Sequence, residues 1–276
     1  MRKLYIGQPF SLCMAFAHHL DISHQFEQQQ AVTQAYIIPF LAPHFRPGPG
    51  MQVLDVGCGV GGVLAPFVAA GCTCTGVDVD TASIEVGKQL HADLIAAGSL
   101  ALYRQDIYDW DTEQRFDLIL LKDSIEHIAD QARIIGHLKT FLKPGGFIFF
   151  GFPPWVMPFG GHQQVIRRSA LLSKLPWYHL LPMPLYRAVL RAGGVEPGNQ
   201  DFLIETKERG ISSWRFQRIL KRTGYRIVKR TFWLFNPIYQ YKFGLKGRKQ
   251  FGPIAHLPGL RDLISTAVYY LVQPTQ

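Results

Sequence analysis

The sequence predicts an α/β fold, a mostly parallel sheet with helices on both faces. Three observations lead to it. From Met51 onward, short apolar runs alternate with stretches of helical period, which implies right-handed crossovers and ligand at the carboxyl ends of the strands. Phe116–Leu121 (FDLILL) is apolar enough to be a central strand. And Met51–Gly62 reads as a strand that ends abruptly in glycines and then turns into a helix. That geometry lets backbone N–H groups approach a nucleotide-like ligand.

Taken in order, residues 22–45 form an amphipathic helix ended by Pro43 and the Pro47–Gly50 turn. Val53, Leu54 and Val56 make the opening strand, and Val63–Ala70 a helix closed by Gly71. Thr73–Val77 is a second strand ending in Asp78; Asp80 beside Thr81 caps a helix over 83–97. Leu100–Tyr103 gives a third strand and Phe116–Leu121 a fourth, followed by a helix over 131–142. Phe147–Phe152 is the fifth strand. Ser213–Thr223 is a late helix, with Tyr225–Leu234 and Ser265–Val272 as the last two strands.

At 276 residues the chain suits a single α/β domain with embellishments. Residues 1–50 form an N-terminal helical segment, 51–152 the ligand-binding core and 211–276 the rest of the core. Residues 153–210 are an insertion rich in Pro, Trp, Tyr and Leu, and 236–263 a second insertion where aromatics interleave with basic residues. No apolar run is long enough to span a membrane. Gln8 and Pro9 interrupt the mildly apolar stretch after Met1-Arg2-Lys3, which argues against a secretory signal. Cys13, Cys58, Cys72 and Cys74 show no zinc spacing and read as reduced thiols of a cytoplasmic protein. His18, His19 and His24 fit no metal geometry and read as surface, so no metal is expected.

Charge is uneven. Residues 1–150 carry 10 Lys or Arg against 15 Asp or Glu, whereas 151–276 carry 19 against 5. The excess favours an anionic partner for the second half: an acidic small molecule, a lipid headgroup or nucleic acid. A solubilising surface is the plainer account.

The glycines alone are ambiguous, because Gly57, Gly59 and Gly62 also satisfy the dinucleotide fingerprint. Asp55 decides between the readings. An acid inside an apolar strand needs donors or a cation, which an ammonium-bearing ligand supplies and a pyrophosphate does not. With Asp55 included, the stretch is a D-x-G-x-G-x-G pattern over Gly57, Gly59 and Gly61, and it resembles the first motif of class I S-adenosylmethionine (SAM) dependent methyltransferases of the small-molecule type. Glu126-His127-Ile128, followed by Leu142-Lys143-Pro144-Gly145-Gly146, strengthens the likeness over about 100 residues.

The resemblance implies a Rossmann-like seven-stranded sheet in the order 3-2-1-4-5-7-6, its last strand antiparallel, with residues 153–210 as a helical acceptor-binding cap. It implies SAM as cofactor and S-adenosylhomocysteine as product. Asp55, Gly57, Cys58, Gly59 and Gly61 fall on its cofactor bend. Asp78, with Val79 beside it, is placed to accept both ribose hydroxyls. Asp106 and Ile107 stand where the family meets adenine, by one acceptor and one apolar face. Lys122 and Asp123 leave the fourth strand toward the methionine moiety or the acceptor. His162, on a Gly/Pro-framed loop, and His127 are the candidate bases.

The reading is therefore methyl transfer to a small-molecule acceptor, apolar and anionic, with oxygen as the methylated atom. The setting is cytoplasmic, with peripheral membrane contact if the acceptor is lipophilic. The rivals are an RNA methyltransferase and a non-catalytic SAM-binding protein. The first lacks an Asn/Asp-Pro-Pro-aromatic motif after the fourth strand, where Lys122-Asp123-Ser124-Ile125 stands instead; nucleic acid is thus a poor candidate partner.

Overall fold

Eight strands form one sheet in the order β3-β2-β1-β4-β5-β8-β6-β7, in a computed structural model that describes residues 22–166, 169–257 and 259–275. The strands are β1 (Gln52–Val56), β2 (Thr73–Asp78), β3 (Leu100–Arg104), β4 (Phe116–Lys122), β5 (Leu142–Phe152), β6 (Tyr225–Phe235), β7 (Arg248–Lys249) and β8 (Ala267–Pro274). β1 to β5 are parallel; β8 runs antiparallel between β5 and β6. The predicted order therefore holds, but the count of seven is corrected to eight. The extra strand is the two-residue β7, which pairs antiparallel with β6 and is too short to leave a period in the sequence. Two readings, a secretory leader within Met1–Ala17 and the roles of Cys13, His18 and His19, lie outside the described residues.

Both faces of the sheet are buried, as the apolar strands require. On one face Ile119, Leu121, Ile148, Phe150 and Tyr270 pack against the helices Gln131–His137 and Ser213–Arg222. On the other, Leu118, Leu120, Phe149, Tyr269 and Trp233 pack against Phe40 and Leu41 of the N-terminal helix. That helix runs from Ile22 to Leu41 through a π-helical turn at Thr33–Ile37. The helix predicted over 83–97 is two pieces, Thr81–Leu90 and Ala92–Ala96, broken at His91. Asp80 caps the first piece by accepting the N–H groups of Ala82 and Ser83, as read from the sequence.

Residues 153–210 are largely helical and have a small core of their own around Tyr178, Tyr186, Leu190 and Leu203. The second insertion carries a short helix, Tyr239–Phe243, and is tied to the N-terminal helix. The Tyr36 hydroxyl bonds Gln240, and the Tyr241 hydroxyl donates to the Ala31 carbonyl.

One buried polar clasp fixes the late helix. Asp262 is fully buried, accepts the Ser213 N–H at 2.7 Å and the Ser213 hydroxyl, and lies beside the buried Arg261. Arg261 in turn sits over the Phe232 ring. Asp262→Ala would leave a buried guanidinium and a buried N–H uncompensated. Urea unfolding is expected to show a loss of about 3 kcal/mol; a change under about 1 kcal/mol would mean solvent compensates both groups.

Candidate functional site

The carboxyl ends of the neighbouring parallel strands β2, β1, β4 and β5 lie side by side along one edge of the sheet, the edge at which open α/β sheets form their ligand cleft. Gly57, Gly59 and Gly61 all have positive φ, which non-glycine residues rarely adopt. The Gly57 and Cys58 N–H groups donate to the Val77 carbonyl and tie the bend to β2. A Cβ at Gly61 would meet His91 and Leu102, and one at Gly57 would meet the Ser124 side chain at 2.6 Å; at Gly59 nothing lies within 4 Å. Gly59 is the open approach. Cys58 turns its side chain inward against Gly76 and offers the cleft only its backbone.

Two acids flank the bend. Asp55 is buried, paired in register with Gly76 on β2 and Leu120 on β4, and its Oδ1 has no partner. Burial first, then the nearby Asp78, push its carboxyl up to about 8, with Lys122 opposing. Asp78 closes β2; its Oδ2 accepts the Gly59 N–H at 2.8 Å and its Oδ1 the Asp80 N–H at 2.9 Å. A carboxylate has about four lone-pair sites, so this anchored group keeps acceptor capacity for a ligand. Val79 beside it is exposed. Asp106 is half-buried, its Oδ1 accepting the Tyr108 N–H at 3.0 Å. Ile107, next in the chain, is packed into the core, and Val79 is an exposed apolar side chain beside the acids.

Across the cleft, β4 empties into Lys122-Asp123. Asp123 has a left-handed backbone, φ 55°, and its N–H donates to the Gly151 carbonyl at 2.7 Å. Lys122 ion-pairs with Asp123 and lies against Gly151, its side chain only 9% exposed. His127 and His162 meet edge to face with ring centroids 5.3 Å apart, and His162 is also left-handed, φ 56°. Non-glycine residues in such strained conformations cluster at functional sites. Burial holds both imidazoles down, His127 to about 3. Each stays neutral near neutral pH and is a weak proton acceptor. Glu126 is buried with Oε2 unpartnered, and burial followed by Asp123 raises it to about 8.

The field of Asp123 also reaches Tyr239, Lys242 and Tyr269, residues that sequence reading had not assigned to the site. The interleaved aromatic and basic residues of 236–263 were the available signal. Their placement depends on contacts across the whole chain. Among the described residues no cluster could hold a metal ion, and no helix is long and apolar enough to cross a membrane.

A family model described as a methyltransferase domain matches residues 26–183, which span the whole bend, both acids and both histidines. The chain belongs to this methyltransferase-domain family. Its resemblance to the class I SAM-dependent superfamily holds. A ubiquinone biosynthesis O-methyltransferase from Chelativorans sp. (strain BNC1) is 35% identical over 127 residues, 43% of this chain and 49% of that protein. One of the same description from Actinobacillus pleuropneumoniae serotype 5b (strain L20) is 41% identical over 109 residues, 37% and 45% of the two chains. The chain spans about half the length of these curated relatives. Among solved structures, geranyl diphosphate methyltransferase in complex with SAM superposes with a TM-score of 0.55 at 15% identity, covering 89% of this chain and 85% of that one. Magnesium protoporphyrin IX methyltransferase from Synechocystis PCC 6803 with bound S-adenosylhomocysteine gives 0.52 at 15% identity, covering 90% and 84%. At that identity the likeness is one of fold.

The raised carboxyls make stability depend on pH. An unfolded chain ionises Asp and Glu near about pH 4, whereas folded Asp55 and Glu126 hold their protons to about 8. The folded state binds more protons across that window, so their contribution is full below about pH 4 and is lost as pH rises through about 8. Asp55→Asn should flatten the decline by up to about 1.4 kcal/mol per pH unit, read by urea unfolding of the ligand-free domain. An unaltered slope would show that Asp55 is ionised already.

Proposed function

We propose that the methyltransferase domain binds SAM across the β1–β2 bend and transfers its methyl group to an oxygen of a small-molecule acceptor. The observation that carries this is Asp55, a buried carboxyl with an unpartnered oxygen at the lip of an open glycine bend. A ligand ammonium is the partner that such a group lacks. We assign Asp78 to the ribose hydroxyls, Asp106 to the adenine amino group and Gly59 to close backbone approach. Lys122 and Asp123 stand between cofactor and acceptor.

Bound there, SAM supplies a methyl carbon on a sulfonium, open to in-line displacement. The chain's own part is to position the acceptor and exclude water. His127 and His162, neutral and edge to face, are proposed to accept a hydrogen bond from the acceptor hydroxyl and so aim it, with the 153–210 segment as the cap over it. Support for oxygen as the target comes from the matched relatives, which carry the description O-methyltransferase. A lipophilic acceptor would be met in the cytoplasm at a membrane surface, and the cap exposes Leu171, Trp177 and Leu185 for such a contact.

Asp78→Ala is expected to weaken SAM binding about tenfold or more, since it deletes a charge-assisted acceptor worth roughly 1.5–3 kcal/mol and releases the Gly59 N–H. Calorimetric titration measures this directly. Unchanged affinity would remove Asp78 from the ribose site.

A further inference from the structure

A groove of about 600 Å³ runs between the start of the helix Gln131–His137 and the helix Ser213–Arg222. Arg215, Arg218 and Arg222 line it, three and four residues apart, and so form one stripe about 10 Å long on the late helix. Trp214 is 46% exposed beside them, with the Arg218 guanidinium over its ring at 5.1 Å. Arg215 donates to the Gly210 carbonyl at 3.0 Å, whereas Arg218 and Arg222 stand exposed. Asp130, the acid in the lining, caps its own helix through the Arg133 N–H. Gln131, also in the lining, is buried. Its amide nitrogen donates to the Arg209 carbonyl at 2.7 Å, and its Oε1 has no partner.

The same face carries a surface of opposite charge. In the connection from β3 to β4, Asp109, Asp111 and Glu113 alternate, all exposed, along a stretch that is neither helix nor strand. They span at most about 13 Å, close to the length of the arginine stripe. Arg115 turns back onto the Thr112 and Gln114 carbonyls. Tyr108 under Arg133 and Trp110 stacked on Phe141 fix this connection beside the helix Gln131–His137. The late helix flanks that helix on the other side, since its Phe216 meets Phe150 of β5 and Tyr270 of β8, and the sheet order sets β8 and β3 on opposite sides of β4 and β5.

We propose that this face docks a second copy of the chain, with the acidic strip of each copy in the basic groove of the other. A two-fold axis near the shared helix exchanges strip and groove, so both contacts form together. Carboxylates then meet guanidinium forks, and Trp214 is covered. The partner's strip brings backbone N–H groups, the donors that Gln131 Oε1 lacks. A foreign acidic peptide would complement the groove alone; a second copy complements groove and strip at once, which selects it. The proposal is independent of the methyl-transfer reading.

Sedimentation equilibrium of the full chain tests it. At about 50 mM salt the molar mass should approach twice the 31.2 kDa of one chain, and it should fall toward one chain at about 0.5 M. Arg218→Glu with Arg222→Glu, and separately Asp111→Arg with Glu113→Arg, should each give monomers, because like charges then face each other. Far-UV circular dichroism confirms the fold of both variants. Mixed in equal amounts, the two should dimerise again, since each altered surface now meets an opposite one. A parent that is monomeric at low salt, a dimer that survives in either variant, or a mixture that stays monomeric overturns the proposal.

Discussion

A carboxyl at the centre of a parallel sheet governs the rest of this molecule. Asp55 sits between β2 and β4 with water excluded, and folding alone gives its Oδ1 no partner. An apolar residue of similar volume would serve the fold better. The group therefore makes sense only with something cationic brought to the end of β1. The glycine bend opens the approach, Asp78 pins that bend through Gly59, and Lys122 is the chain's own charge that opposes the burial of Asp55.

The cleft is electrostatically divided. On the β1–β2 side, Asp55 and Asp78 present acceptors to a cationic, hydroxyl-rich ligand. On the β4–β5 side, Lys122 ion-pairs with Asp123 and lies against Gly151. The left-handed backbone at Asp123 is held by its N–H bond to the Gly151 carbonyl, and His162 follows Gly160 and Gly161, where an added Cβ would meet Trp155 and His179.

Much of this was legible in the residues because the signals are local. FDLILL can only be a central strand, Asp80 before Thr81 is a cap, and an acid two residues ahead of a glycine run is conspicuous in an apolar strand. What escaped was set by contacts distant in sequence. His91 breaks its helix where it packs against the Gly61 bend. β7 exists only through its pairing with β6. The 236–263 insertion takes its place because the N-terminal helix, some two hundred positions earlier, braces it through Tyr36 and Gln240.

Whether Asp55 is the group that meets the ligand's ammonium is decided most directly by counting protons. Calorimetry of S-adenosylhomocysteine binding at about pH 7, in buffers of different ionisation heat, should reveal the release of about one proton, since the buried acid ionises as its counter-charge arrives. The release should vanish in Asp55→Asn. Binding without proton release, or an equal release from the Asn variant, would contradict it.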